Sequence, residues 1–255
     1  MRYPQIFLRP QFVIARTVVH YSLSHFPMKN LLKLFALCSC VLGVAVAAES
    51  QPTAEEASKG LQAALTTLVD QSVATASDAK KADAELSITL PDKMAKLESM
   101  LRGAGQGQLV DDFKAKVKKV AVETLPLTKD VFKGETSNLK IDDPMTVLKT
   151  GPDGLTNYAK QKTRPAVVGK VQPLITAKSK EAGVTAAYQA MVAKAGPFAA
   201  SMFGKEPPAN FEQSVTEQTV DFVYGQMGKG EGALRVNPSI AKNALVTKIF
   251  AAVKK

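Results

Sequence analysis

The chain has 255 residues, 33 basic and 23 acidic, giving a formal charge of +10, with two cysteines, two histidines and no tryptophan. At 45% apolar content it is long enough to bury a core of its own, and two cysteines exclude a disulfide-built scaffold. The basic surplus points to nucleic acid or an anionic surface only if it belongs to the folded part.

Much of it does not. Residues 1–27 carry Arg2, Arg9 and Arg16 with scattered aromatics and no cleavage pattern. They read as an upstream extension from a start assigned too early, with Met28 as the initiator; the other reading is a genuine extended basic leader. Residues 28–49, MKNLLKLFALCSCVLGVAVAAE, form a complete secretory signal: Lys29 and Lys33, an apolar run, then the small-x-small Ala45-Val46-Ala47. The sequence predicts cleavage after Ala47 or Ala48 and release into the periplasm. The apolar run is shorter than the roughly 20 residues a bilayer span needs. Leu37-Cys38-Ser39-Cys40 offers an alternative, lipidation at Cys40 and a membrane anchor, against which stands the apolar run continuing from Val41 to Ala48.

Five of the 33 basic residues and none of the 23 acidic ones precede Glu49, so cleavage takes the charge from +10 to +5. It also removes His20, His25, Cys38 and Cys40, every histidine and cysteine in the chain. Residues 49–255 must therefore be held by a hydrophobic core alone, although they enter a compartment where disulfides persist.

The apolar spacing of this part is helical. Leu61, Leu65, Leu68, Val69 and Val73 recur at three and four residues, with Thr53 and Glu56 at capping-box spacing ahead of them. A loop is expected over residues 77–89, with Leu86 to Leu90 as the one short extended candidate. Pro91 opens a helix carrying Met94, Leu97 and Leu101, which the Gly103–Gly107 cluster ends. The next helix sets Leu109, Val110, Phe113, Val117, Val120 and Ala121 on one face, with Lys114, Lys116, Lys118 and Lys119 on its flanks.

Asp143 caps a short helix from Pro144, and another runs from Leu155 to about Thr163. Pro165 and Pro173 bound or bend the one after, and Thr185 to Ala195 follows Gly183. A Gly/Pro-rich loop over residues 196–210 precedes a helix whose start is read from Ser214 and Glu217. Asn237-Pro238 opens a final amphipathic helix through Ile240, Ala241, Leu245, Ile249, Phe250 and Val253. The expected fold is all-α: a single bundle-like domain of about seven to ten helices.

Several of these segments, in this order and spacing, are similar to the bacterial envelope family known as domain of unknown function 4197. They are Ile88-Thr89-Leu90-Pro91, the Leu101-Arg102-Gly103 break, Leu109 to Glu123, Gly183-Val184 with Tyr188, Val215-Thr216, and Leu234-Arg235-Val236-Asn237-Pro238 with Lys248-Ile249-Phe250. The resemblance covers residues 60–251. It implies an exported helical protein of unassigned activity and carries over no catalytic residue. Gly228-Lys229-Gly230-Glu231-Gly232 stands where the family has an acidic helical segment, and a looser helix is expected there. Lys118-Lys119 likewise replaces a more polar stretch.

Chemistry is limited by what the exported part lacks. Without His or Cys there is no imidazole base, no thiolate nucleophile and no ordinary zinc site. Carboxylate chemistry remains, with Glu55-Glu56, Asp111-Asp112 and Asp142-Asp143 as pairs, each read as a helix-start cap. Neither Gly103–Gly107 nor Gly228–Gly232 has phosphate-loop spacing; both read as helix ends. No cofactor or metal motif is present, and aromatic interleaving for nucleic acid is missing. Tyr158, Arg164, Tyr188, Asp221, Tyr224 and Arg235 are the least bland set. They either line a pocket between helices, with Arg for an anionic head group, or brace the bundle, with Asp221 and Arg235 pairing to join the last two helices.

The functional expectation is an exported, non-enzymatic envelope protein that binds a small apolar or amphiphilic ligand. The alternative is a structural or interaction module without ligand, whose partner is an envelope protein or, peripherally, the membrane. A carboxylate-dependent hydrolase is the third option.

Overall fold

The computed structural model describes residues 51–253, and every described element is helical. The expected export signal, its expected cleavage site and Cys40 lie outside the described residues. In chain order the helices are α1 (Ala54–Ala76), α2 (Ala79–Glu85), α3 (Asp92–Gly103), α4 (Gly107–Thr124), α5 (Lys129–Ser137), α6 (Pro144–Lys149), α7 (Gly154–Glu181), α8 (Val184–Lys194), α9 (Pro197–Phe203), α10 (Phe211–Val236) and α11 (Ala244–Ala251). Two 3-10 turns, Leu125–Thr128 and Pro238–Ala241, join α4 to α5 and α10 to α11. The all-α expectation holds.

Helix α10 is the axis. It packs most extensively on α7 and next on α1, which scarcely meet each other. Its buried residues therefore cover a wide arc, from Phe211, Val215 and Val220 through Val223, Tyr224 and Met227 to Leu234. Helices α5, α6 and α11 close around α1, while α4 lies against α3, α7 and α8. At that end Phe113 of α4 packs between Phe211 and Tyr188, ring centroids 5.8 and 6.4 Å away.

Local signals explain the helix starts. At α1 the capping box forms in full: Glu56 N donates to Thr53 Oγ1 at 3.1 Å and Thr53 N to Glu56 Oε2 at 3.0 Å. Asp143 caps α6 by accepting from Thr146 N. The Gly103–Gly107 break separates α3 from α4 as read from sequence.

Seven local expectations are corrected. The expected loop over residues 77–89 contains α2, started by Asp78, whose carboxylate accepts from the amides of Lys80 and Lys81. Residues 86–90 form no strand; Gln218 of α10 takes the place of a neighbouring strand, accepting from Thr89 N at 2.7 Å and donating to Thr89 O at 2.9 Å.

Pro165 and Pro173 do not divide a helix: α7 runs 28 residues through both. Each proline removes one amide donor, and the carbonyls that lose their partner, on Gln161 and Gly169, lie with both rings on the exposed face. Solvent can reach them there, while Leu155, Ala159, Thr163, Val167, Val171 and Ile175 keep an unbroken buried stripe at four-residue spacing.

In the 196–210 stretch, Pro197–Phe203 is helical. The helix after it starts at Phe211 with Asn210 at the N-cap, so Ser214 is inside it and accepts from Gln218 Nε2 rather than capping. The final amphipathic segment is split in two: Lys242 adopts φ 51°, and Asn243 caps α11 by accepting from the amides of Leu245 and Val246.

The glycine-rich 228–232 stretch loosens nothing. It is the interior of α10, because the missing side chain lets two long helices close up. A Cβ on Gly230 would lie 3.2 Å from Leu68 Cδ2 of α1. Gly60 plays the same part for α11, where a Cβ would meet Ile249 Cδ1 at 2.5 Å.

Candidate functional site

The six polar and aromatic residues singled out from sequence do not converge on one cavity. Arg164 and Asp221 are tied to each other and the other four to separate neighbours.

Arg164 of α7 makes a two-pronged ion pair with Asp221 of α10, Nε to Oδ1 and Nη2 to Oδ2, both at 2.9 Å. Lys160 adds a contact to Asp221 Oδ1 at 3.0 Å, and Glu217 lies 3.5 Å from the guanidinium. The hydrogen bonds from Arg164 hold the Asp221 carboxyl below the usual carboxylate range, and the same bonds raise Arg164. A guanidinium so occupied has little left for a ligand carboxylate or phosphate.

Three residues beyond Asp221, Tyr224 Oη lies 2.7 Å from Thr163 Oγ1, which itself donates to Ala159 O. Tyr224 is buried and packs edge-on against Phe132 of α5, centroids 5.0 Å apart. Burial pushes its phenol up to about 12. Tyr188 is also buried and donates to Phe203 O at 2.9 Å, fixing the end of α9. Tyr158 donates to Lys140 O at 3.0 Å and holds the segment between α5 and α6.

Arg235 does not pair with Asp221. Its partner is Glu231, one turn back on α10, at 2.9 Å from Nε and 2.7 Å from Nη2. Glu231 is fully buried and accepts from the amides of Leu155 at 2.9 Å and Thr156 at 2.7 Å, two of the free donors at the start of α7. Arg235 in turn donates to Leu148 O at 2.7 Å, at the end of α6, and its guanidinium lies 5.1 Å from the centre of the Phe250 ring. The acid sits at a helix N-terminus and the base at a helix C-terminus, the placement each helix dipole favours. Sequence reading missed Glu231, since it sits in a glycine-rich stretch read as a helix end. Its four-residue spacing to Arg235 was the available signal.

Two surface grooves among the described residues take in members of this set. One, about 750 Å³, lies between α6 and α7 and brings together Tyr158 and Arg164 with Asp142, Asp143, Lys160 and Pro165. The other, about 850 Å³, takes in Arg235 with Leu148, Pro152, Val236, Phe250 and Val253. Tyr188, Asp221 and Tyr224 line neither.

Of the paired acids, Glu55 and Glu56 lie in the first turn of α1, Asp143 is the cap of α6, and Asp111 pairs with Arg102 at 2.5 Å one turn into α4. Hydrogen bonds from Thr146 hold Asp143 below the usual carboxylate range, opposite to what a general acid requires. Among the described residues no group of three carboxylates is arranged to hold a metal ion, and no helix is long and apolar enough to cross a membrane.

The family model described as a protein of unknown function, DUF4197, matches residues 51–251. No curated protein and no solved structure matches the chain.

Proposed function

The chain belongs to the DUF4197 family, and from that premise we propose that it is an exported, non-enzymatic protein of the cell envelope that acts through its surface. The observation that carries this reading is the consumption of its polar equipment. Arg164, Asp221, Tyr224, Glu231 and Arg235 are each engaged in joining helices, and none presents an unengaged charged group to an enclosed cavity. The signal at residues 28–48 supports export. The absence of His and Cys downstream of it leaves carboxylates as the main acid–base groups; of the sequence pairs, Glu55, Glu56, Asp111 and Asp143 are caps or ion-pair members, and Asp112 accepts from Gln108 on its own helix.

The groove beside Arg235 favours a second reading. Phe250, Val253 and Leu148 offer an apolar floor next to a guanidinium, which suits an amphiphile with an anionic head. Against it, the guanidinium is already bonded to Glu231 and Leu148.

Export is tested by the intact mass of protein recovered from the periplasmic fraction of cells expressing the full chain. A mass matching cleavage after Ala47 or Ala48 is expected. A 255-residue product retained in the cytoplasm overturns the reading, and a lipid-modified product beginning at Cys40 replaces the soluble form with an anchored one.

A further inference from the structure

We propose that α9 and the lysines around it form the face by which this protein seats on an anionic lipid surface. The proposal deepens the surface-acting reading above and rests on it.

Helix α9 lies in a run free of charge. Between Lys194 and Lys205 the sequence is AGPFAASMFG. Ala199 and Phe203 are buried and tie the helix to the body, helped by the bond from Tyr188 to Phe203 O. The opposite side is open: Phe198 is 69% exposed and Met202, one turn on, is 48% exposed. Gly196 and Gly204 bracket the helix at φ 95° and 78°, a backbone region that L side chains rarely adopt, so both sharp turns suit glycine. A large aromatic and a flexible thioether are thus held outward on a short, anchored projection.

The charge around this projection has one prevailing sign. Lys194 and Lys205 are exposed at its two ends, and neither has a carboxylate within salt-bridge distance among the described residues. Helix α3 packs beside α9. Its exposed Lys93, Lys96 and Met100 follow one another at three and four residues, on one face. Met100 is 40% exposed. The acids nearby are Asp92 at the start of α3, Glu98 within α3, which pairs with Arg102 and Lys114, and Glu206, which accepts from Gln189.

This combination fits a bilayer better than a protein. Two or three apolar side chains fall far short of the roughly 800 Å² per partner of a stable protein interface, and the cores of such interfaces are depleted in lysine. Insertion of apolar side chains below a ring of lysines is how interfacial helices hold anionic lipid, each lysine contributing through the surface potential. An exported protein meets such a surface on leaving the translocation site.

The test is sedimentation of the purified protein with vesicles of phosphatidylcholine containing 30% phosphatidylglycerol, beside pure phosphatidylcholine vesicles. Binding to the anionic vesicles alone is expected. It should weaken about tenfold in the double variant Phe198→Ser, Met202→Ser and about tenfold in Lys194→Gln, Lys205→Gln; circular dichroism checks that both stay folded. No binding to anionic vesicles overturns the proposal, as does binding that neither variant reduces. Concentration-dependent self-association abolished by Phe198→Ser, without vesicle binding, also overturns it and makes α9 an interface between copies. These results leave the export reading to the mass of the mature product, so the two fail separately.

Discussion

Glu231 and Arg235 stand one turn apart on α10 and hold the ends of two other helices. The carboxylate caps the start of α7 through Leu155 and Thr156, and the guanidinium caps the end of α6 through Leu148. Glu231 is wholly buried, and the side chain of Arg235 is only 14% exposed. Removing one partner of such a pair leaves the other's charge uncompensated.

The two truncations should differ. Glu231→Ala leaves Arg235 unpaired and two amides of α7 without an acceptor, and should cost about 3–5 kcal/mol in urea denaturation. Arg235→Ala leaves the carboxylate with its two amide donors and should cost less, about 2 kcal/mol. Equal costs would mean that the bond of Arg235 to Leu148 O and its contact with Phe250 weigh as much as the two amide acceptors.

The central helices were legible in the sequence because their apolar residues recur at three and four. That periodicity says which face is buried but not what the helix ends touch. The cap of α7 comes from a residue 76 positions away, and no local pattern reports it. The prolines of α7 misled for a related reason: each costs its helix a donor and some strain, but the carbonyl it frees lies on the exposed face, where the helix tolerates the loss. The six candidate residues stand out by their types, but spacing does not distinguish a side chain reaching a neighbouring helix from one reaching a ligand.

Pro173→Ala restores an amide donor to the middle of α7, where nothing else requires the ring. The variant should gain about 1–3 kcal/mol in thermal unfolding at unchanged helical content, the upper end being the cost of an interior proline. A loss would show that the bend itself is needed for packing.

Glycines on the long helices should respond in opposite directions. A Cβ at Gly225 meets nothing within 4 Å, so Gly225→Ala should stabilise by about 0.5–1 kcal/mol. At Gly60 the same change drives into buried Ile249 and should destabilise by about 1–3 kcal/mol. Paired melting curves check both.

The ion pair of Arg164 with Asp221 carries an acid dependence. The folded state holds Asp221 below its unfolded value, so its contribution is present above about pH 4 and is lost as pH falls through the folded value. Asp221→Asn should flatten that limb of the stability profile. Tyr224 acts at the other end: with its phenol raised to about 12, its contribution is full below about pH 10 and is lost between pH 10 and 12. Tyr224→Phe should flatten the alkaline limb and cost about 1 kcal/mol at neutral pH through the bond to Thr163.

The central claim is that the polar side chains of this bundle are spent on joining helices and that the protein carries no small ligand. Native mass spectrometry of the protein taken directly from the periplasm tests it most directly. The account predicts the mass of the cleaved polypeptide alone, unchanged under conditions that preserve non-covalent complexes. A stoichiometric small molecule retained on the protein, and lost on Arg235→Ala, would contradict it.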